Sequence, residues 1–84
     1  MNQDRIKEFL KRLESPEGCN FREKIKGDPK STVWNCDGNF ARSRKILMAM
    51  GIPIKEQDDF LEECKEFGGY CDCEILLNSA EHLR

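Results

Sequence analysis

The chain has 84 residues, enough for one small domain spanning 1–84 and no more. Charged residues make up 36% and apolar residues 38%, and the apolar ones are grouped rather than scattered, which excludes a disordered chain. The formal net charge of −2 argues against wholesale contact with a phosphate backbone, so nucleic acid is not an expected partner.

The charged segment Met1 to Leu13 lacks the apolar stretch of an export signal. The strongest apolar run, Ile75-Leu76-Leu77, falls far short of a membrane span. These features predict a cytoplasmic protein with no membrane partner. Its five cysteines would then be thiols or metal ligands rather than disulfides. A chain this short has a marginal core, so a metal, a disulfide or a second chain would be physically useful.

In chain order, residues 2–14 read as an amphipathic helix. Ile6, Phe9, Leu10 and Leu13 fall at i, i+3, i+4 and i+7, and Asn2 or Asp4 can cap the start. Ser15-Pro16-Glu17-Gly18 stops it. Residues 19–31 predict a loop with a short helical turn around Gly27-Asp28-Pro29. Thr32-Val33-Trp34 favours a strand. Cys36-Asp37-Gly38-Asn39 is a turn, with Asn39 or Asp37 capping a second helix over Phe40 to Met50, which Gly51 ends. A third helix runs from about Lys55 to Phe67 with Phe60, Leu61, Cys64 and Phe67 on one stripe; Cys64 reads as core.

Tyr70 to Leu77 alternates, and predicts a strand with Cys71, Cys73, Ile75 and Leu77 on one face. Asp72 and Glu74 on the other face read as solvated, as do Arg42, Arg44 and Lys45 on the second helix. The fold expected is α+β: about three helices packed on a small antiparallel sheet formed by strands near Val33 and Glu74. That pairing would bring Trp34 close to Tyr70.

Cys71-Asp72-Cys73 is the most informative local feature. Residues i and i+2 of a strand share a face, with α-carbons about 6.5–7 Å apart. Two thiolates on one zinc sit about 3.8 Å apart, and leaning side chains close that gap. Cys36, in the turn after the neighbouring strand, is the natural third ligand. Cys19, after Gly18, is a candidate fourth, ahead of His82 near the C-terminus. Ordinary core packing of small apolar thiols is the competing account. A Cys–His nucleophile is disfavoured, because the one histidine is remote and Asp72 and Glu74 would raise the thiol pKa values.

The run Gly68-Gly69-Tyr70-Cys71-Asp72-Cys73-Glu74-Ile75-Leu76-Leu77-Asn78 resembles the hallmark of a family of small prokaryotic proteins known as domain of unknown function 2695. That hallmark is a glycine pair, CDCE, an aliphatic pair and an asparagine. Cys36-Asp37 and the helix from Phe40 to Lys45 resemble its upstream part, so the resemblance covers about residues 34–78. It implies a grouping of Cys36 with Cys71 and Cys73, and no activity. Family members often carry histidine two positions after the upstream cysteine. Gly38 stands there in this chain, which makes Cys19 the more interesting fourth ligand.

The reading is a small domain of unknown cellular role with a structural zinc on Cys36, Cys71, Cys73 and Cys19. The alternatives are a dithiol redox protein or small enzyme using Cys71 and Cys73, and a protein-interaction module, homodimeric through an unpaired strand edge.

Overall fold

The computed structural model describes residues 1–83. Helix α1 spans Gln3–Glu14, opened by the Asn2 side chain accepting from the Arg5 N–H. Its stripe of Ile6, Phe9, Leu10 and Leu13 is buried as the spacing requires. Ser15 leaves the helix in extended geometry before Pro16. The chain then turns back on α1 so tightly that a Cβ on Gly18 would lie 2.2 Å from the Leu13 carbonyl oxygen. This close return lets the Cys19 N–H donate to Leu13 O at 2.6 Å.

The loop predicted over 19–31 contains a strand. β1 (Arg22–Glu23) pairs antiparallel with β2 (Thr32–Val33), Arg22 opposite Val33 and Glu23 opposite Thr32, around a 3₁₀ turn at Pro29–Ser31. Just beyond β2, the Asn35 N–H donates to Cys19 O at 2.7 Å, which brings the chain back beside Cys19.

Helix α2 (Ala41–Ala49) and helix α3 (Ile54–Glu66) follow, separated by Gly51 in the left-handed region at φ +76°. Their apolar residues join those of α1 in one core that includes Ile46, Leu47, Phe60, Leu61 and Cys64. The Phe9 and Phe60 rings meet edge to face at 5.2 Å.

The strand expected over Tyr70 to Leu77 is a helix. Three segments run on without a break: α4 (Asp72–Glu74), a π-helical turn (Ile75–Ser79) and α5 (Ala80–Leu83). Burial follows a helical rhythm here. Asp72, Ile75, Ser79, Ala80 and Leu83 are buried, whereas Leu77, expected on the same face as Ile75, is 52% exposed. In the π turn the Ala80 N–H reaches back to Ile75 O. The wider turn leaves both Ser79 and Ala80 facing inward.

The sheet pairing therefore changes too. β2 takes Arg22–Glu23 as its partner rather than a strand at Glu74. Trp34 stacks on Phe21, with centroids 5.1 Å apart, while Tyr70 stands 63% exposed. The class remains α+β, with four helices among the described residues, counting the C-terminal one as a unit, and a two-stranded antiparallel sheet. No helix among the described residues is long and apolar enough to cross a membrane.

Candidate metal centre

The glycine pair after α3 sets where the C-terminal helix starts. Gly68 sits at φ +87° and closes α3. Its carbonyl accepts from the Asn78 side-chain amide at 3.0 Å. Gly69 lies against that helix: a Cβ there would stand 2.3 Å from Ser79 Oγ. Both Gly69 N–H and Ser79 Oγ donate to Cys64 O, each at 2.8 Å. The glycine pair, Asn78 and Ser79 thus form one joint between α3 and the C-terminal helix.

That joint places Cys71 at the N-cap of the helix, in extended geometry, and Cys73 in its first turn. The two sulfurs are 3.4 Å apart. The CxC pair converges across a helix start, not along a strand as its alternation suggested. The turn before α2 delivers Cys36 to the same point, with its Sγ 3.5 Å from that of Cys71. Gly38, at φ +76°, makes this turn. The three Sγ atoms lie within 4.8 Å of one another and could hold a metal ion; Cys71 is buried and the other two are half-buried.

The electrostatics of the three thiols are unequal. Burial pushes the Cys36 thiol up, but hydrogen bonds from Cys73 (side chain and backbone N–H), the Gly38 N–H and Cys71 outweigh it and bring it down. Burial raises Cys71, opposed by the Glu74 N–H and by Cys73, with Cys36 adding to the rise. Burial and the bonds to Cys36 and Cys71 push Cys73 up to about 12. Cys36 is thus the one thiol of the three that is lowered, while Cys71 and Cys73 are raised. A bound cation would reverse this by taking all three as thiolates.

Cys19 is wholly buried and lies outside the 4.8 Å group. Burial pushes its thiol up to about 12, with charge on Asp72, Cys36 and Cys71 adding to the rise and Arg42 opposing it. Cys64 is core, as its place on the α3 stripe predicts, with burial raising its thiol to about 12. His82 stacks on Phe67, with centroids 4.7 Å apart, and takes no part in the group.

The expectation for Asp72 is overturned. Its side chain is fully buried, with Oδ2 accepting from Arg42 N at 3.1 Å and Oδ1 from Ser43 N at 2.9 Å and Ser43 Oγ at 2.6 Å. It caps α2 across the chain. Glu74 points elsewhere, accepting from Tyr70 N at 3.2 Å with the Cys71 sulfur at 3.7 Å. Two members of the basic group are paired. Arg42 meets Asp37 at 2.8 Å, and Arg44 meets Asp58 at 2.6 Å. Both are surface ion pairs of small worth.

The family described as "Protein of unknown function (DUF2695)" matches residues 28–78, more than half of the chain. The chain belongs to that family. No curated protein and no solved structure matches it. The DUF2695 region begins ahead of β2, somewhat earlier than the motifs alone suggested, and ends at Asn78. It contains Cys36, Cys71 and Cys73 together with Asp72, Gly69 and Asn78, whereas Cys19 precedes it.

Proposed function

We propose that this DUF2695 protein carries a structural zinc ion held by Cys36, Cys71 and Cys73, with Cys19 supplying the fourth sulfur. The observation that carries the reading is the convergence of three thiols from two distant parts of the sequence, with sulfur–sulfur distances of 3.4 and 3.5 Å. Two thiolates on one zinc stand about 3.8 Å apart, so only a small spreading is needed. An all-sulfur donor set selects soft or borderline ions such as zinc over magnesium or calcium.

A closed four-sulfur site does no chemistry. Its free energy of binding is free energy of folding. Here the ion would tie the segment after α1, the turn before α2 and the C-terminal helix into one unit, an effect of real size for so small a core. The reading places the protein in a reducing compartment such as the cytoplasm, where thiols stay available to a metal.

Cobalt substitution tests the donor set. The full chain titrated with Co(II) should give the intense thiolate-to-cobalt absorption of a tetrahedral site, and Cys71→Ser should abolish it. Cys19→Ser should keep the charge-transfer bands and shift the d–d bands as one sulfur leaves. An octahedral, weakly absorbing cobalt spectrum would reject the site. The redox alternative relies on the 3.4 Å approach of Cys71 and Cys73, but burial raises both thiols, which works against either as a nucleophile.

A further inference from the structure

We infer that Asp72 is the positioning residue of this metal site, holding the Cys71–Cys73 pair and Cys36 in register through the start of α2; the inference rests on the zinc reading above. Asp72 stands between the two cysteines in sequence, yet its carboxylate faces away from them in function. Its backbone N–H and its carboxylate both bond to the segment that follows Cys36. Its backbone N–H donates to Asn39 O at 2.9 Å, and its carboxylate accepts from Arg42 N, Ser43 N and Ser43 Oγ at 3.1, 2.9 and 2.6 Å.

These contacts lock two loops together at one point. On one side, Cys36 is tied by a short turn to Asn39 and the first residues of α2. On the other, Cys71 and Cys73 flank the residue that grips that turn. Any displacement of α2 relative to the C-terminal helix would separate the Cys36 sulfur from the other two.

The cost of a buried carboxylate is also met here. Its side chain is 0% exposed, and among the described residues no buried side-chain polar atom lacks a partner. α2 supplies the complementary need. Its N-cap residue, Phe40, has no side-chain acceptor to offer, so the N–H groups of Arg42 and Ser43 would be orphans without Asp72. A capping bond made within one helix would serve stability equally well. Made across the chain by the residue between two thiols, it also fixes the thiol geometry. Residues bonded directly to metal ligands typically change metal affinity 10- to 100-fold when replaced, and Asp72, which acts on the thiols through the backbone, belongs at the lower end of that range.

Asp72→Asn is nearly isosteric and tests the inference. In either orientation its carboxamide turns an N–H₂ group toward an N–H that now meets an oxygen. Zinc affinity of the full chain, measured by competition with a chromophoric chelator, should fall at least about 10-fold. The saturated Co(II) variant should show shifted d–d bands. Asn2→Ala is the control. It removes an exposed helix cap on α1, an element that carries none of the cysteines, where Asn2 Oδ1 accepts from Arg5 N at 2.9 Å, and each affinity is read against that variant's measured loss of metal-free stability.

If affinity falls equally in Asn2→Ala and Asp72→Asn, with unshifted cobalt bands in both, Asp72 is merely structural and the inference fails. Should Asp72→Asn not fold, Ser43→Ala removes only the 2.6 Å bond and should still weaken zinc more than Asn2→Ala does. Equal affinities for Ser43→Ala and Asn2→Ala would overturn the inference. A wild-type chain that takes up no zinc or cobalt removes the underlying site, a result distinct from wild-type binding that Asp72→Asn leaves unchanged.

Discussion

Replacing Gly69 with alanine adds one methyl group at the joint between α3 and the C-terminal helix, and its cost can be worked from the contacts. The new Cβ would stand 2.3 Å from Ser79 Oγ, 3.1 Å from Cys64 O and 3.2 Å from the Ile75 Cα. The first contact is impossible as it stands, so the Ser79 hydroxyl must rotate or the helix must move. Rotation gives up the 2.8 Å bond to Cys64 O and leaves a buried hydroxyl unpaired, which costs about 1–3 kcal/mol. The two remaining contacts are backbone atoms that cannot swing aside, and such overpacking costs about 1–3 kcal/mol more.

Against this, alanine narrows the unfolded ensemble by about 0.4–1 kcal/mol. The net loss is about 1–6 kcal/mol. In a domain of this size each kcal/mol moves the melting midpoint about 4–8 °C, so Gly69→Ala should melt at least about 4 °C below the wild type. Ser79→Ala alone should cost about 1 kcal/mol. The double variant should be less damaged than the two losses added, because the worst clash is gone. Thermal melts followed by circular dichroism measure all three. A Gly69→Ala midpoint within about 2 °C of wild type would refute the close approach. It would also refute the helical course of residues 72–83 that creates this approach.

Gly18→Ala should be more damaging still, by about 3 kcal/mol or more in urea denaturation, because its Cβ would meet Leu13 backbone atoms at 2.2–2.7 Å with no side chain able to yield. Cys64→Ala should lower stability by about 1–2 kcal/mol and leave the metal content unchanged, since Cys64 only fills core space; loss of metal in this variant would contradict the assignment of ligands. Brief alkylation of the metal-free native protein at neutral pH, read by peptide mass, should modify Cys36 first, because it is half-buried and its thiol is lowered. Cys19 and Cys64, fully buried and pushed up to about 12, should react only on unfolding; equal labelling of all five would contradict the packing.

What the sequence made legible follows from how each element is stabilised. α1 and α3 are held by apolar stripes of helical period, and a period is a property of the sequence itself. The C-terminal segment is different. Cys71 to Leu77 alternates well enough to suit a strand, and its helical course is decided by partners far away in sequence: Ser79 at Cys64 O, Asn78 at Gly68 O and Asp72 at the start of α2. Alternation over so short a run cannot weigh such contacts. The grouping of Cys36 with Cys71 and Cys73 holds although the strand pairing expected to create it does not form: the pair two residues apart converges at a helix start as readily as along a strand, and Cys36 was joined to it by the motif resemblance. The burial of Asp72 was missed. One signal points to it in hindsight: of the two local acceptors before α2, Asn39 serves the Ala41 N–H and Asp37 takes the Arg42 guanidinium, which leaves the N–H groups of Arg42 and Ser43 in need of one. β1 was missed because two exposed residues, Arg22 and Glu23, carry no apolar pattern.

The central claim is that three sulfurs meet to hold an ion. Elemental analysis of protein purified under reducing conditions without added metal tests it most directly. The account predicts about one zinc per chain, lost in Cys36→Ser and retained in Cys64→Ala. Metal-free protein whose melting does not respond to added zinc would contradict it.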